Sequence, residues 1–179
     1  MNPFVPVAIL LGGAGAMLVG LIVPRSRGQM LGLVPVVASV AALLAGLVLG
    51  FRLPVEVTIS NWPVALFGAG LTLSADWVSW LFLLAILVAT TSVFLTGLAR
   101  VGGPRLGARV ASLLVSAAAL AAVQAENLIT LAVTWAILDS VYFVSLLLLA
   151  RGENIEQQAA LSLTFNSAAT FCVVAAVLD

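Results

Sequence analysis

The sequence predicts an all-α integral membrane protein with six transmembrane helices. Of its 179 residues, 63% are hydrophobic and only 8% are charged, and its mean hydropathy is +1.26. Soluble domains do not have this composition, whereas an apolar run of about 20 residues can cross a bilayer as a helix. We therefore expect a single membrane domain over residues 1–179, with helices at about 4–23, 29–51, 76–98, 106–125, 127–150 and 155–178.

The first apolar run is expected to be a membrane span and not a cleaved signal peptide. It has no positive charge before it, and Arg25 and Arg27 follow it where a signal peptide would have small residues. Pro24 ends this helix, whereas Pro35, near the start of the second helix, is tolerated there. Both helices are rich in Gly and Ala, which let membrane helices approach closely.

The connection between the second and third helices is predicted to form a short β-hairpin on the membrane surface, at about residues 54–73. The segment VEVTIS, residues 55–60, alternates apolar and polar side chains, which is the period of a strand. A turn-like stretch at 61–63 then leads to a second extended piece, 64–73. The third helix follows, with Ser74 or Asp76 as its N-cap.

The arginines predict that the N-terminus lies outside the membrane. Cytoplasmic loops carry an excess of basic residues, and the two basic loops follow the first helix, with Arg25 and Arg27, and the third helix, with Arg100, Arg105 and Arg109. The hairpin and the turn at Glu126 then lie outside. The loop 151–157 is expected inside although it is net acidic, which opposes this assignment.

The composition excludes several classes of function. The chain has no His and no Lys, and its single cysteine, Cys172, lies within an apolar run. It therefore lacks the commonest metal ligand and has neither a thiolate metal site nor a disulfide framework. No basic patch for nucleic acid is present. We expect no catalytic chemistry, no metal and no cofactor within this chain.

Asp139, in the middle of the fifth predicted helix, is the strongest candidate functional residue. An ionised carboxylate at the centre of a bilayer costs about 3 kcal/mol or more, so such an acid indicates function unless it is paired. The alternative is a neutral or hydrogen-bonded acid that only packs helices together. Asp76 and Glu126, at predicted helix starts, are expected only to interact with the helix dipole.

Two further helices carry polar faces. The sixth repeats a polar residue at every fourth position, which places one stripe along the helix. The members of this stripe are Gln158, Ser162, Asn166 and Thr170. The fifth offers a comparable face in Asn127, Thr130 and Thr134. Such a seam can relay protons through hydroxyls and water, or it can simply hold helices together. The hydroxyls of the third helix, from Thr90 to Thr96, are expected to bond back to their own helix.

Three motifs resemble those of the antiporter-like membrane subunits of complex I (NADH-quinone oxidoreductase) and of Mrp sodium/proton antiporters. LTLSADWVSWLFLLAILVATTSVF resembles the third-helix signature, in which Asp76 and Ser79 open a long helix after a surface hairpin. ENLITLAVTWAILDSVYFVSLLLL is similar to the fifth-helix signature, and FNSAATF to the sixth. The resemblance implies proton translocation by a subunit of two inverted repeats.

The sequence departs from that family in two ways. The family has a glutamate directly after the fifth-helix tryptophan, where this chain has Ala136 after Trp135. Asp139 lies about 60° further round the helix, and either replaces that glutamate or is unrelated to it. The sequence also lacks the seventh helix, whose lysine pairs with the glutamate. We therefore expect a shortened or split subunit that takes any buried counter-charge from another chain.

The expected function is a contribution to proton, or sodium/proton, translocation by a larger assembly, with other membrane subunits and the lipid bilayer as partners. The expected location is the bacterial plasma (inner) membrane. One alternative is a non-conducting scaffold subunit of such a complex, and another is a membrane partner in an inorganic-carbon uptake system. The expected proton-transfer residues are Asp139, Trp135, Tyr142, Thr134, Ser162, Asn166 and Thr170.

Overall fold

A computed structural model of the chain describes residues 2–22, 28–59, 70–99 and 106–149, together with four single helical residues, Thr164, Ala168, Cys172 and Ala175. Over these ranges the chain forms five helices and one two-stranded sheet. In chain order the elements are α1 Phe4–Ile22, α2 Gly28–Gly50, β1 Val55–Ile59, β2 Leu71–Ala75, α3 Trp77–Ala99, α4 Leu106–Val123 and α5 Leu128–Leu149.

Four of these helices are long and apolar enough to cross a membrane. The qualifying spans are Leu33–Gly50, Trp77–Leu98, Leu106–Val123 and Leu128–Leu146, and Phe4–Val19 forms a shorter apolar helix. By length and composition, the described part of the chain is therefore that of a membrane protein. The sixth predicted helix, 155–178, lies outside the described residues apart from the four single positions.

α4 lies at the centre of the described bundle. It packs against α1, α3 and α5, while α2 packs against α1 and α3. Leucines from three of these helices, Leu49, Leu83 and Leu113, are fully buried where the helices meet. α5 packs on the outer side of α4 and against β2, and several of its large apolar side chains remain exposed.

Small residues bring α1, α2 and α3 close together, as their composition predicts. A Cβ atom added at Gly13 of α1 would lie 2.6 Å from the Cβ of Ala38 in α2. A Cβ at Gly46 of α2 would meet the side chains of Leu83 and Leu87 in α3. Trp80 of α3 packs against Gly50, and its indole N–H donates to the carbonyl of Gly46 at 2.8 Å. The absence of side chains at these glycines therefore sets the spacing between the helices.

The predicted hairpin is present, but its second strand differs from the prediction. β1 and β2 pair antiparallel, from Val55 opposite Ala75 to Ile59 opposite Leu71. The predicted extended piece, 64–73, overlaps β2 at 71–73. β2 extends two residues beyond the predicted end, because the alternation of buried and partly buried residues continues to the fully buried Ala75. The predicted turn at 61–63 lies outside the described residues.

The turn between α4 and α5 pairs with the other edge of β2. Ala125 forms a bridge with Leu73. The Ser74 amide donates to the carbonyl of Gln124 at 2.8 Å, and the Glu126 amide donates to the carbonyl of Thr72 at 3.2 Å. The hairpin is therefore fixed to the same end of the bundle as the start of α5.

Candidate proton-transfer site

Asp139 lies near the middle of α5, and only 8% of its surface is exposed. It comes eleven residues after Leu128, so its Cα is about 16 Å along the helix at 1.5 Å per residue. The described structure therefore buries the only acid of this span. An ionisable side chain within a membrane helix is costly, so its presence in this span requires a functional or structural explanation.

Trp135 and Tyr142 lie on the same face of α5 as Asp139, because residues three and four positions apart are neighbours on a helix. Their side chains are 47% and 44% exposed within this chain. The buried acid is thus flanked along the helix by two half-exposed aromatic side chains, one on each side.

Thr134 is placed away from Asp139. The two residues are five positions apart in the sequence, which corresponds to about 140° around the helix. The Thr134 hydroxyl donates to the carbonyl of Thr130 at 2.7 Å, and its side chain lines an apolar groove between α1, α4 and α5. The other three predicted proton-transfer residues, Ser162, Asn166 and Thr170, lie outside the described residues, as does Gln158.

The polar start of α5 holds the hairpin. The Asn127 side chain caps the helix by accepting from the Thr130 amide at 2.7 Å, and its amide nitrogen donates to the carbonyl of Gly70 and the hydroxyl of Thr72, both at 2.8 Å. The Thr72 amide donates to the Thr130 hydroxyl at 2.9 Å. The polar face that the sequence indicated at Asn127 and Thr130 is therefore occupied by contacts with the strand.

Asp76 is the N-cap of α3. It is one of the two residues that the sequence proposed for this role, the other being Ser74. Its carboxylate accepts from the Ser79 amide at 2.7 Å, and the Asp76 amide donates to the Ser79 hydroxyl at 2.9 Å. These two reciprocal bonds form a capping box. Hydrogen bonding by Ser79 holds the pKa of Asp76 below its usual value of 3.8.

The hydroxyls of α3 follow the prediction at three positions. Thr90, Ser92 and Thr96 donate to carbonyls of the preceding turn. The hydroxyl of Thr91 is buried and has no hydrogen-bond partner among the described residues. The side-chain amide of Gln124, which is 1% exposed, also has no partner there. The prediction that Thr91 bonds back to its own helix is therefore wrong, and the buried amide of Gln124 was not predicted at all.

A cavity of about 340 Å³ between α3, α4 and α5 is a further feature that sequence reasoning missed. Five hydroxyl-bearing residues are among those that line it, namely Thr90, Ser112, Ser116, Tyr142 and Ser145. Only Tyr142 was among the predicted proton-transfer residues. The described ranges contain no group of three acidic, histidine or cysteine residues arranged to hold a metal ion.

Neither the protein-family models nor the curated proteins compared with this chain match it. A functional interpretation therefore depends on the chain's own residues and their geometry.

Proposed function

We propose that this chain is a membrane subunit of a complex I-like or Mrp-like assembly that contributes to proton, or sodium/proton, translocation through a polar seam centred on Asp139. The supporting observation is the burial of that carboxyl group near the middle of an apolar helix. Buried ionisable groups in membrane helices are costly, and they commonly lie on ion or proton pathways.

In this proposal the Asp139 carboxyl group binds and releases the proton. Trp135 and Tyr142 share its helix face, and the Tyr142 phenol can donate and accept a hydrogen bond. Ser162, Asn166 and Thr170 of the predicted sixth helix supply the other side of the seam. Thr134 contributes to the fold of α5, because its hydroxyl is bonded to that helix's own backbone.

Replacement of Asp139 by asparagine tests the proposal, because the amide is nearly isosteric but does not titrate. We expect Asp139→Asn to lower proton pumping by the native assembly in membrane vesicles by about a hundredfold, the scale of a lost acid–base group. Asp139→Glu, which keeps the carboxyl group, should retain part of the activity.

Glu126→Gln is the matched control, because this acid is exposed and lies just before α5. It should leave pumping unchanged. Subunit content on native gels should be the same for all three variants. Normal pumping by an intact Asp139→Asn assembly would exclude the proposed role.

A scaffold subunit is the second candidate, and one observation favours it. The hydroxyls of Thr134, Ser140 and Ser145 all donate to carbonyls of α5 itself, which is a structural use of polar side chains. For a scaffold, Asp139→Asn would lower the stability of the complex without changing the transport rate of the molecules that remain assembled. The identity of the co-purifying subunits would separate a respiratory complex from an antiporter or a carbon-uptake system.

A further inference from the structure

One buried face of α5 is not covered by the elements that the structure describes. Ala132 and Asp139 are seven positions apart, so they lie on one line along the helix, and they are 6% and 8% exposed. Leu146, a further seven positions along, is partly buried. These three residues form what we call the Asp139 face.

The described neighbours of α5 lie on its other sides. Among the described elements, α4 and β2 pack against α5. Thr134 and Ser145 mark the side of α4, because each lines a groove or cavity that α5 forms with α4. Asp139 lies about 140° around the helix from Thr134 and about 120° from Ser145. β2 bonds to Thr130, and Ala132 is about 160° from that residue. The burial of the Asp139 face therefore requires another part of the chain.

The segment that follows α5 has the length to cover this face. The other internal ranges outside the described residues, 23–27, 60–69 and 100–105, are short connections between consecutive elements. The predicted sixth helix, 155–178, is about as long as α5 and follows it after a short connection. Helices joined by a short connection are antiparallel neighbours in a bundle.

Four described residues indicate which side of this segment faces outward. All four are helical and exposed, and they are Thr164, Ala168, Cys172 and Ala175. Their spacing places them within about 80° of one another on a helix. On the same helix, Asn166 and Thr170 come about 160° from the middle of this exposed side, and Ser162 comes about 120° from it. The polar stripe is therefore on the side that is turned away from the exposed residues.

We infer that residues 155–178 pack antiparallel on the Asp139 face of α5, with Asn166 beside Asp139. Asp139 lies ten residues before the end of α5 at Leu149, and ten residues after the predicted start at 155 is residue 165, so Asn166 comes to about the depth of the acid. An asparagine amide donates and accepts hydrogen bonds, so it suits a carboxyl group in either protonation state. Ala132 is small and allows the two helices to approach closely.

This packing gives the buried acid a polar neighbour from its own chain. The arrangement depends only on the buried face, the exposed face and the register of the two helices. Any part that Asn166 plays in transport rests on the proposed function.

Disulfide formation tests the packing in the native assembly. In a Cys172→Ala background, Ala132→Cys with Val173→Cys, and Leu146→Cys with Ala159→Cys, place thiols on the two facing sides near either end of the Asp139 face. The matched control is Ala132→Cys with the native Cys172, which is adjacent to Val173 but belongs to the exposed side. Vesicles are oxidised with copper phenanthroline, and polyethylene glycol maleimide then counts the free thiols after denaturation.

The facing pairs should form a disulfide within the chain at least about tenfold faster than the control pair, because a disulfide needs Cα atoms within about 7 Å of each other. The second facing pair remains a test if Ala132→Cys does not assemble. Equal rates for the facing pair at Val173 and the control pair at Cys172 would overturn the inference, as would the absence of a disulfide in both facing pairs.

The contact between Asn166 and Asp139 is tested by coupling. The effects of Asn166→Ala and Asp139→Asn on thermal unfolding should not be additive, because contacting residues share their interaction. Thr164→Ala, on the exposed side, should be additive with Asp139→Asn. Additive effects at both positions would contradict the proposed register.

The packing and the proposed function can fail separately. Rapid disulfide formation together with a fully active Asp139→Asn assembly would support the packing and exclude the transport role. Absent disulfides together with an inactive Asp139→Asn assembly would refute the packing and leave the transport role intact.

Discussion

Asp76 and Asp139 carry the same carboxyl group in opposite surroundings. Asp76 is exposed at the start of α3, where the backbone amide of Ser79 and the positive end of the helix dipole stabilise its charge. Asp139 is buried near the middle of α5. The position along the helix therefore separates an exposed acid that caps a helix from an acid that is buried within one.

The capping role of Asp76 predicts a specific pH dependence. The pKa of Asp76 is lowered in the folded chain by its bonds with Ser79, so its contribution to stability is present above its unfolded value of about 3.8. This contribution is lost as the pH falls through the lower folded pKa. Asp76→Asn should keep the cap, since asparagine is also a good N-cap, and should remove this part of the pH dependence.

Thermal unfolding in detergent between pH 2 and pH 6, a range about the unperturbed aspartate pKa, measures the effect. Ser79→Ala is the companion variant, because it removes the side chain that bonds Asp76 and leaves the acid in place. It should bring the acid limb of the stability curve toward the unperturbed aspartate value. Identical curves for wild type and Asp76→Asn would contradict the assignment.

The role of a single residue was predictable where its hydrogen-bond partner is close in the sequence. Asp76 could be identified as a cap because its partner, Ser79, is three residues away. The partners of Asn127 are Gly70 and Thr72, more than fifty positions earlier, so the sequence indicated a polar face and not its use.

At the scale of helices, adjacent glycines in α1 have different surroundings. A Cβ at Gly13 would be 2.6 Å from the Cβ of Ala38, whereas a Cβ at Gly12 would meet nothing within 4 Å. Only Gly13 therefore lies in the contact between α1 and α2. The same glycine-to-alanine substitution at the two positions therefore tests whether α1 and α2 need a glycine in order to pack closely.

Gly13→Ala should destabilise the chain by about 1–3 kcal/mol, because α1 and α2 must separate to admit the methyl group. Gly12→Ala should be neutral or stabilising by up to about 1 kcal/mol, since alanine favours a helix. Unfolding by denaturant of the purified protein in micelles measures both. Equal effects of the two variants would show that Gly13 does not set the helix spacing.

The helical structure of the five described apolar segments was predictable. Their apolar length marks these segments in the sequence. The second strand was predicted less well, because Leu71 to Ala75 alternates correctly but Ser74 also suits an N-cap. Ser74 pairs with Glu56 of β1 and therefore belongs to the strand.

For the molecule as a whole, the arginines predict that the hairpin lies on the outer side of the membrane. In a Cys172→Ala background, Glu56→Cys on the exposed side of β1 should react with an impermeant thiol reagent in intact cells. Ser26→Cys, between Arg25 and Arg27, should react only after the cells are permeabilised. The opposite pattern would reverse the predicted orientation.

The cavity could not be predicted from the sequence, because it exists only where α3 and α5 both pack against α4. The sequence gives the length and polarity of each helix but not its neighbours. The hydroxyls of Thr90, Ser92 and Thr96 in α3 were correctly expected to bond to their own helix.

The pairing of α1 with α4 has a consequence for biosynthesis. Leu10 and Met17 of α1 are fully buried, in the same apolar cluster as Leu113 and Leu120 of α4. Before α4 enters the bilayer, lipid can cover this side of α1, because acyl chains are as apolar as Leu10 and Met17. The contact between α1 and α4 therefore forms late in insertion, when α4 replaces lipid on a pair of helices, α1 and α2, that already pack together.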